Sequence, residues 1–206
     1  MHFQGLFFKI TSFFRYWYYS CGAHDFHSPF IFDFFNEVIL TKKEYNDFPL
    51  FRDILQHKKY FVSLDRVFFL YRLAHFFRPK TVYVDSPNFP VSLALILPSL
   101  RRELQFPSEI YFSNYERRLF ESNNVKWKMG ISGDLGYFSF INRSLKVKLA
   151  LFTCILIESP HQNKSKELIW NDLCKDPMVS VSIDLFKFGI LLMNRNQAKE
   201  HFVIKM

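Results

Sequence analysis

At 206 residues, of which 49% are hydrophobic and 19% aromatic with 27 Phe, the chain has the material for one compact domain and is too apolar to stay disordered. Its net charge of +8 favours encounters with anionic partners without choosing among nucleic acid, acidic lipid and small anions. The basic residues are scattered in pairs such as Lys42-Lys43, Lys58-Lys59, Arg101-Arg102 and Arg117-Arg118; no nucleic-acid motif accompanies them, so the reading is a solvated basic surface with no specific nucleic-acid partner.

In chain order, the first segment is apolar, but Lys9 and Arg15 interrupt it and no small-residue cleavage site follows, which argues against a signal peptide. Leu6, Ile10, Phe13, Phe14 and Trp17 recur at helical spacing. Such an amphipathic helix lies on the domain or on a second copy; the alternative is an interfacial membrane anchor over residues 3–19. Ser28-Pro29, as N-cap and first helical residue, opens a second helix through Leu40. A charged turn over Thr41 to Asn46 follows, then a helix from Asp65 to Phe77 that Arg78-Pro79-Lys80 ends. Residues 1–64 therefore read as an N-terminal helical extension and 65–206 as an α/β domain, together one compact unit.

From Thr81 the pattern changes to short β-branched and aromatic runs. Strands are predicted at Thr81 to Asp85, Ile110 to Ser113, Val125 to Met129, Tyr137 to Ile141 and Thr153 to Ile157, with helices at Val91 to Leu100 and Ser165 to Cys174. Val179 to Phe186 and Phe188 to Met193 make a closing pair of strands, with Lys199-Glu200-His201 as a solvated turn into a final one. This is the pattern of an α/β three-layer sandwich with a mostly parallel twisted sheet and an antiparallel edge. The longest later apolar run, Leu149 to Ile157, is too short to cross a bilayer. Three widely spaced cysteines, Cys21, Cys154 and Cys174, give no disulfide framework and predict a reducing, cytoplasmic setting.

Two motifs invite chemistry and are set aside. Cys21, His24 and His27 stand at C-x-x-H-x-x-H spacing, but a structural zinc site wants a fourth ligand, so the histidines read as a helix-entry cluster and no metal site is expected. Gly130, Gly133 and Gly136 have the wrong spacing and context for a phosphate-binding fingerprint and read as a surface turn.

Two blocks carry a family likeness. Gly22 to Val38 (GAHDFHSPFIFDFFNEV) and the ending, with VSVSIDLF, FGILLM and NQAKEHF, resemble class I S-adenosylmethionine (SAM) dependent methyltransferase-like proteins that carry G-x-H-x-x-H-S-P-F-x-F-D near the start and VTVTIDLF, FGLVFF and EQAKEHF at the end. Leu70 to Leu97 (LYRLAHFFRPKTVYVDSPNFPVSLALIL) is similar to a family segment reading LFRLVNYFKPKTILELGTSLGISTAYLA. The resemblance implies a Rossmann-like fold with SAM bound at the end of the first strand. There an acid and a glycine turn let backbone approach the cofactor, and helix N–H groups face its carboxylate.

At the matching positions this chain has Val84 for the acid, Ser86 for the first glycine and Pro90 for the second, and no glycine occurs between Ala23 and Met129. Asp85 stands one place along from the acid. Pro87 and Pro90 each remove an N–H; losing two charge-assisted hydrogen bonds, at about 1.5–3 kcal/mol each, weakens binding about a hundredfold or more. Asn114 matches the ribose-binding acid of the second strand. Where the family's fourth and fifth strands read FIDGNH and FDDIHWS, this chain has FINRS and IESPHQN, so Asn142 replaces one carboxylate while Glu158 and His161 survive as acid and imidazole.

The resemblance thus places Asp85, Ser86, Asn88 and Asn114 around a cofactor and Glu158 and His161 as the acid/base pair, with helix capping as their competing use. The reading is a degenerate methyltransferase homologue with lost or much weakened SAM binding, kept as a binding or assembly module. The alternative is an active, divergent methyltransferase. SAM is the cofactor if the protein is active, and otherwise there is none. A small molecule, a protein or a second copy remains open as partner.

Overall fold

The computed structural model describes all residues except 1, 21–27, 58–59, 86–87, 108–111 and 194–197, and leaves the side chains of 2–6 and 57 undescribed. It is a mixed α/β fold in which eight strands form a mostly parallel sheet flanked by helices. Backbone contacts divide it into two compact units, His27–Asp134 and Met1–Phe26 with Leu135–Met206.

The first helix, α1 (His2–Tyr19), belongs to the discontinuous unit. The His27–Asp134 unit opens with α2 (Pro29–Phe34), entered through an extended Ser28 and continued by a π-helical turn over Phe35–Leu40. Arg72 Nε donates to the Val38 carbonyl at 3.1 Å, satisfying one of the acceptors that a helix end leaves open. Next come α3 (Phe48–His57) and α4 (Leu64–Phe77). The Ser63 side chain caps α4 by accepting from Arg66 N, and Arg78 ends it in the left-handed region at φ 45°, its N–H returned to Ala74 O. Proline at position 79 then prevents continuation. Aromatic rings glue these helices together: Phe48 lies flat on Phe68, centroids 3.9 Å apart, and edge-on to Tyr71.

Strand β1 (Thr81–Val84) follows, buried at Val82, Tyr83 and Val84, as expected for a central strand covered on both faces. Asp134 clamps its start, accepting from the N–H groups of Lys80 and Thr81 at 2.7 and 3.2 Å. Then come α5 (Phe89–Ile96), β2 (Glu103–Phe106), α6 (Asn114–Ser122) and β3 (Lys126–Met129). β1 pairs with β2 and β2 with β3, both parallel, with Val82 opposite Leu104 and Leu104 opposite Trp127.

The second strand is therefore Glu103–Phe106 and not the expected Ile110 to Ser113. Ser113 instead caps α6 in a reciprocal box, its hydroxyl accepting from Glu116 N while the Glu116 carboxylate accepts from Ser113 N. Ile110 and Tyr111 lie outside the described residues.

β4 (Gly133–Phe138), at the boundary of the two units, starts and ends earlier than the predicted Tyr137 to Ile141, so Gly133 and Gly136 are strand residues. Gly136 is required by packing: a Cβ there would stand 2.9 Å from two atoms of the Phe152 ring. The connection onward holds only the single turn α7 (Leu145–Lys148) and a 3₁₀ turn. Then come β5 (Phe152–Glu158), α8 (Lys164–Lys175), β6 (Val181–Asp184), β7 (Phe188–Leu192) and β8 (Glu200–Val203). Strands run β4-β5-β7-β6-β8 here; β7 is antiparallel to β5 and β6, and β8 is parallel to β6. Glu200 and His201, expected in a turn, open β8, and the His201 ring meets the Ser182 hydroxyl at 2.7 Å.

Candidate functional site

The expected cofactor positions and the expected acid/base pair fall in different units. In the His27–Asp134 unit, Asp85 follows β1 and accepts from the Tyr83 hydroxyl at 3.3 Å. Its neighbours 86 and 87 lie outside the described residues, so Ser86 and Pro87 receive no placement. Asn88 is the N-cap of α5, but its side chain caps nothing, and its Oδ1 is buried with no hydrogen-bond partner among the described residues. Asn114, expected at a strand end, is the first residue of α6 and is exposed.

The start of α5 decides whether this strand end can hold a nucleoside cofactor's carboxylate. A usable helix N-terminus presents free N–H groups to the ligand. Here Phe89 and Pro90 occupy the first two positions and both are buried. The Phe89 ring packs edge-on to Phe120 at 5.1 Å and against Phe112 and Tyr60, and proline has no N–H to offer. Pro90 therefore leaves this helix start one N–H donor short beside a buried aromatic cluster.

In the other unit, Glu158 ends β5 and His161 stands in the turn before α8. Neither caps that helix: Asn163 does, its side chain accepting from Lys166 N at 3.0 Å. His161 instead bridges two carboxylates from distant parts of the sequence. Nδ1 is 2.9 Å from Glu167 Oε2 and Nε2 is 2.7 Å from Asp184 Oδ2. Each ring nitrogen thus faces a carboxylate oxygen, an arrangement that favours the protonated ring and leaves neither nitrogen open to a ligand.

The bridge sits in a larger network that sequence reasoning missed. Ser12 Oγ and Arg15 donate to the two oxygens of Glu167 at 2.7 and 2.9 Å. Asp184 also accepts from Trp170 Nε1 at 3.1 Å and from Phe186 N at 2.8 Å. Burial drives the His161 pKa down, but the hydrogen bond and charge of Asp184, then those of Glu167, win and raise it. Burial likewise raises Glu167, yet the Ser12 hydroxyl, His161 and Arg15 hold it below its usual value. Glu167 is thus met by Ser12, Arg15 and His161 together, which is how a buried carboxylate becomes tolerable.

Packing fixes this arrangement. Phe186 takes a left-handed φ of 63°, costly for a bulky residue; its ring stacks on His161 at 5.3 Å and meets Phe13 and Tyr16 at 5.2 Å. The Tyr16 hydroxyl donates to Ile204 O. Trp170 is fully buried against Gly189, where a Cβ would approach its ring to 2.5 Å. What open space remains is a recess of about 150 Å³ lined by Ser12, Arg15, Tyr16, His161, Glu167 and Asp184, among others. A larger recess of about 350 Å³, between Arg143, Lys146, Leu168 and Asp172, contains none of the expected site residues.

Among the described residues no group of three or more His, Cys, Asp or Glu is arranged to hold a metal ion; Cys21, His24 and His27 lie outside them. No described helix is long and apolar enough to cross a membrane.

No family model matches the sequence, and no curated protein does. Solved structures do match. A methyltransferase from Geobacter sulfurreducens is 11% identical, with 75% of this chain and 92% of that one covered, at a TM-score of 0.51. An SAH-bound methyltransferase from Podospora anserina is 13% identical, covering 73% and 89%, at 0.51. A putative O-methyltransferase from Klebsiella pneumoniae is 9% identical, covering 76% and 94%, also at 0.51. At such identities the likeness speaks for architecture alone: the chain has the Rossmann-like methyltransferase fold.

Proposed function

We propose that the chain is a methyltransferase-fold protein that does not use SAM catalytically and serves as a binding or assembly module. The observation that carries this reading is the buried Phe89-Pro90 start of α5, where Pro90 has no N–H to offer and the Phe89 ring packs on Phe120. His161 supports it: both ring nitrogens of the imidazole expected to act as base are engaged by the carboxylates of Glu167 and Asp184.

Isothermal titration with SAM and with S-adenosylhomocysteine tests the reading. No saturable heat into the millimolar range is expected, and micromolar binding of either compound contradicts it. One observation favours the second reading, a divergent active methyltransferase: the buried Oδ1 of Asn88 has no partner among the described residues and could accept from a ligand amine. The same titration, repeated on Asn88→Ala, decides it; binding that disappears with the amide establishes the second reading.

A further inference from the structure

We infer that α1 is a docking surface for anionic lipid membranes. The helix is attached to its own unit by its polar side. Ser12 and Tyr16 are buried and, with Arg15, form the bonds to Glu167 and Ile204 described above. The apolar side faces outward. Phe7 is 69% exposed, Phe14 64% and Trp17 53%, and Ile10, Phe13 and Tyr18 lie exposed around them. At 3.6 residues per turn these positions fall on one continuous stripe. An ordinary surface helix buries such a stripe in its core, so six exposed large side chains along one helix mark an interaction surface.

Charge and composition choose the occupant. From His2 to Tyr19 the helix carries no Asp or Glu, while Lys9 flanks the stripe and Lys205 stands 4.9 Å over the Trp17 ring. The chain as a whole is +8. A second copy would bring these cations against their own kind, whereas an anionic leaflet attracts each of them. Aromatic and aliphatic side chains on one face, basic residues beside them, and Trp and Tyr at one end are the features of a helix lying in the headgroup region. Interfacial seating needs no membrane-crossing length.

Flotation of the full chain with vesicles tests this. The wild type is expected to float with phosphatidylcholine vesicles carrying about 30 mol% phosphatidylserine. Phe7→Ser, Phe14→Ser and Trp17→Ser combined should lower the bound fraction at least tenfold. Lys9→Gln should lower it about fivefold, the worth of one lysine near an anionic surface. Circular dichroism and a melting curve check that the triple variant folds; if it does not, Phe14→Ser and Trp17→Ser singly should each weaken binding severalfold. Failure of the wild type to float, or undiminished flotation of the variants, overturns the inference. So does a wild-type dimer in sedimentation velocity that the triple variant converts to monomer without any vesicle binding, which assigns the face to a second copy.

Discussion

Replacing His161 with Ala removes the cation between Glu167 and Asp184 and leaves two buried carboxylates facing each other. Breaking a buried charge network in this way costs about 3–5 kcal/mol, read as a fall in the urea midpoint at neutral pH. Retained stability would mean that water or Arg15 replaces the imidazolium. The pH dependence has a defined sign. The His161 pKa is raised from 6.5, so its contribution is complete below about 6.5 and is lost as pH climbs through the higher folded value. The Glu167 pKa is lowered from 4.5, so its contribution is present above about 4.5 and is lost as pH falls through the lower folded value. Wild-type stability should therefore decline from mildly acidic toward alkaline pH, and His161→Ala should flatten that decline. A packing prediction stands beside it: Gly189→Ala drives a Cβ into the rigid Trp170 ring and should cost about 1–3 kcal/mol. His161 was legible as a chemical residue from its place after β5. Its partners were not, because Ser12, Glu167 and Asp184 converge only through the tertiary fold; the one local hint was a carboxylate inside the apolar strand run ending at Asp184.

Among the elements, β1, β5 and α8 were readable because their residue types and periodicity agree with their burial, β3 by its alternation although all four of its residues are exposed, and the β6–β7 pair because two apolar runs flank a short turn. The second strand was not. The aromatic run at 110–112 has the stronger β propensity, whereas Glu103–Phe106 is a strand through its ladder to β1 and β3. The Ser113-x-x-Glu116 capping box was the available signal that a helix starts there. β4 was read too far along the chain, because its glycines suggest a turn in isolation and reveal their packing only in the fold, Gly133 against Thr81 and Gly136 against Phe152. For α1 the hydrophobic period gave the helix but not which side faces inward, since its attachment is polar. Glu167→Gln weakens that attachment at Arg15 and His161 together. Hydrogen exchange should accelerate across α1 by about tenfold or more, with β1 to β3 unchanged; unchanged protection of α1 would show that the Tyr16 and Phe186 contacts hold the helix alone.

At the scale of the whole molecule, fold and chemistry separate. A Rossmann-like sheet can host many activities, and function resides in the site built on it. Here the sheet resembles methyltransferases in solved structures at 9–13% identity, while Phe89 at the start of α5 packs with Phe112 and Phe120 and His161 lies between two carboxylates. The sequence carried the fold in its periodicity, and it carried the doubt about activity in Ser86 and Pro90. What it could not show was that Phe89 turns inward. Titration of the intact protein with SAM tests the central claim most directly: absence of saturable binding at millimolar SAM is the expected result, and a micromolar dissociation constant with one-to-one stoichiometry would contradict it.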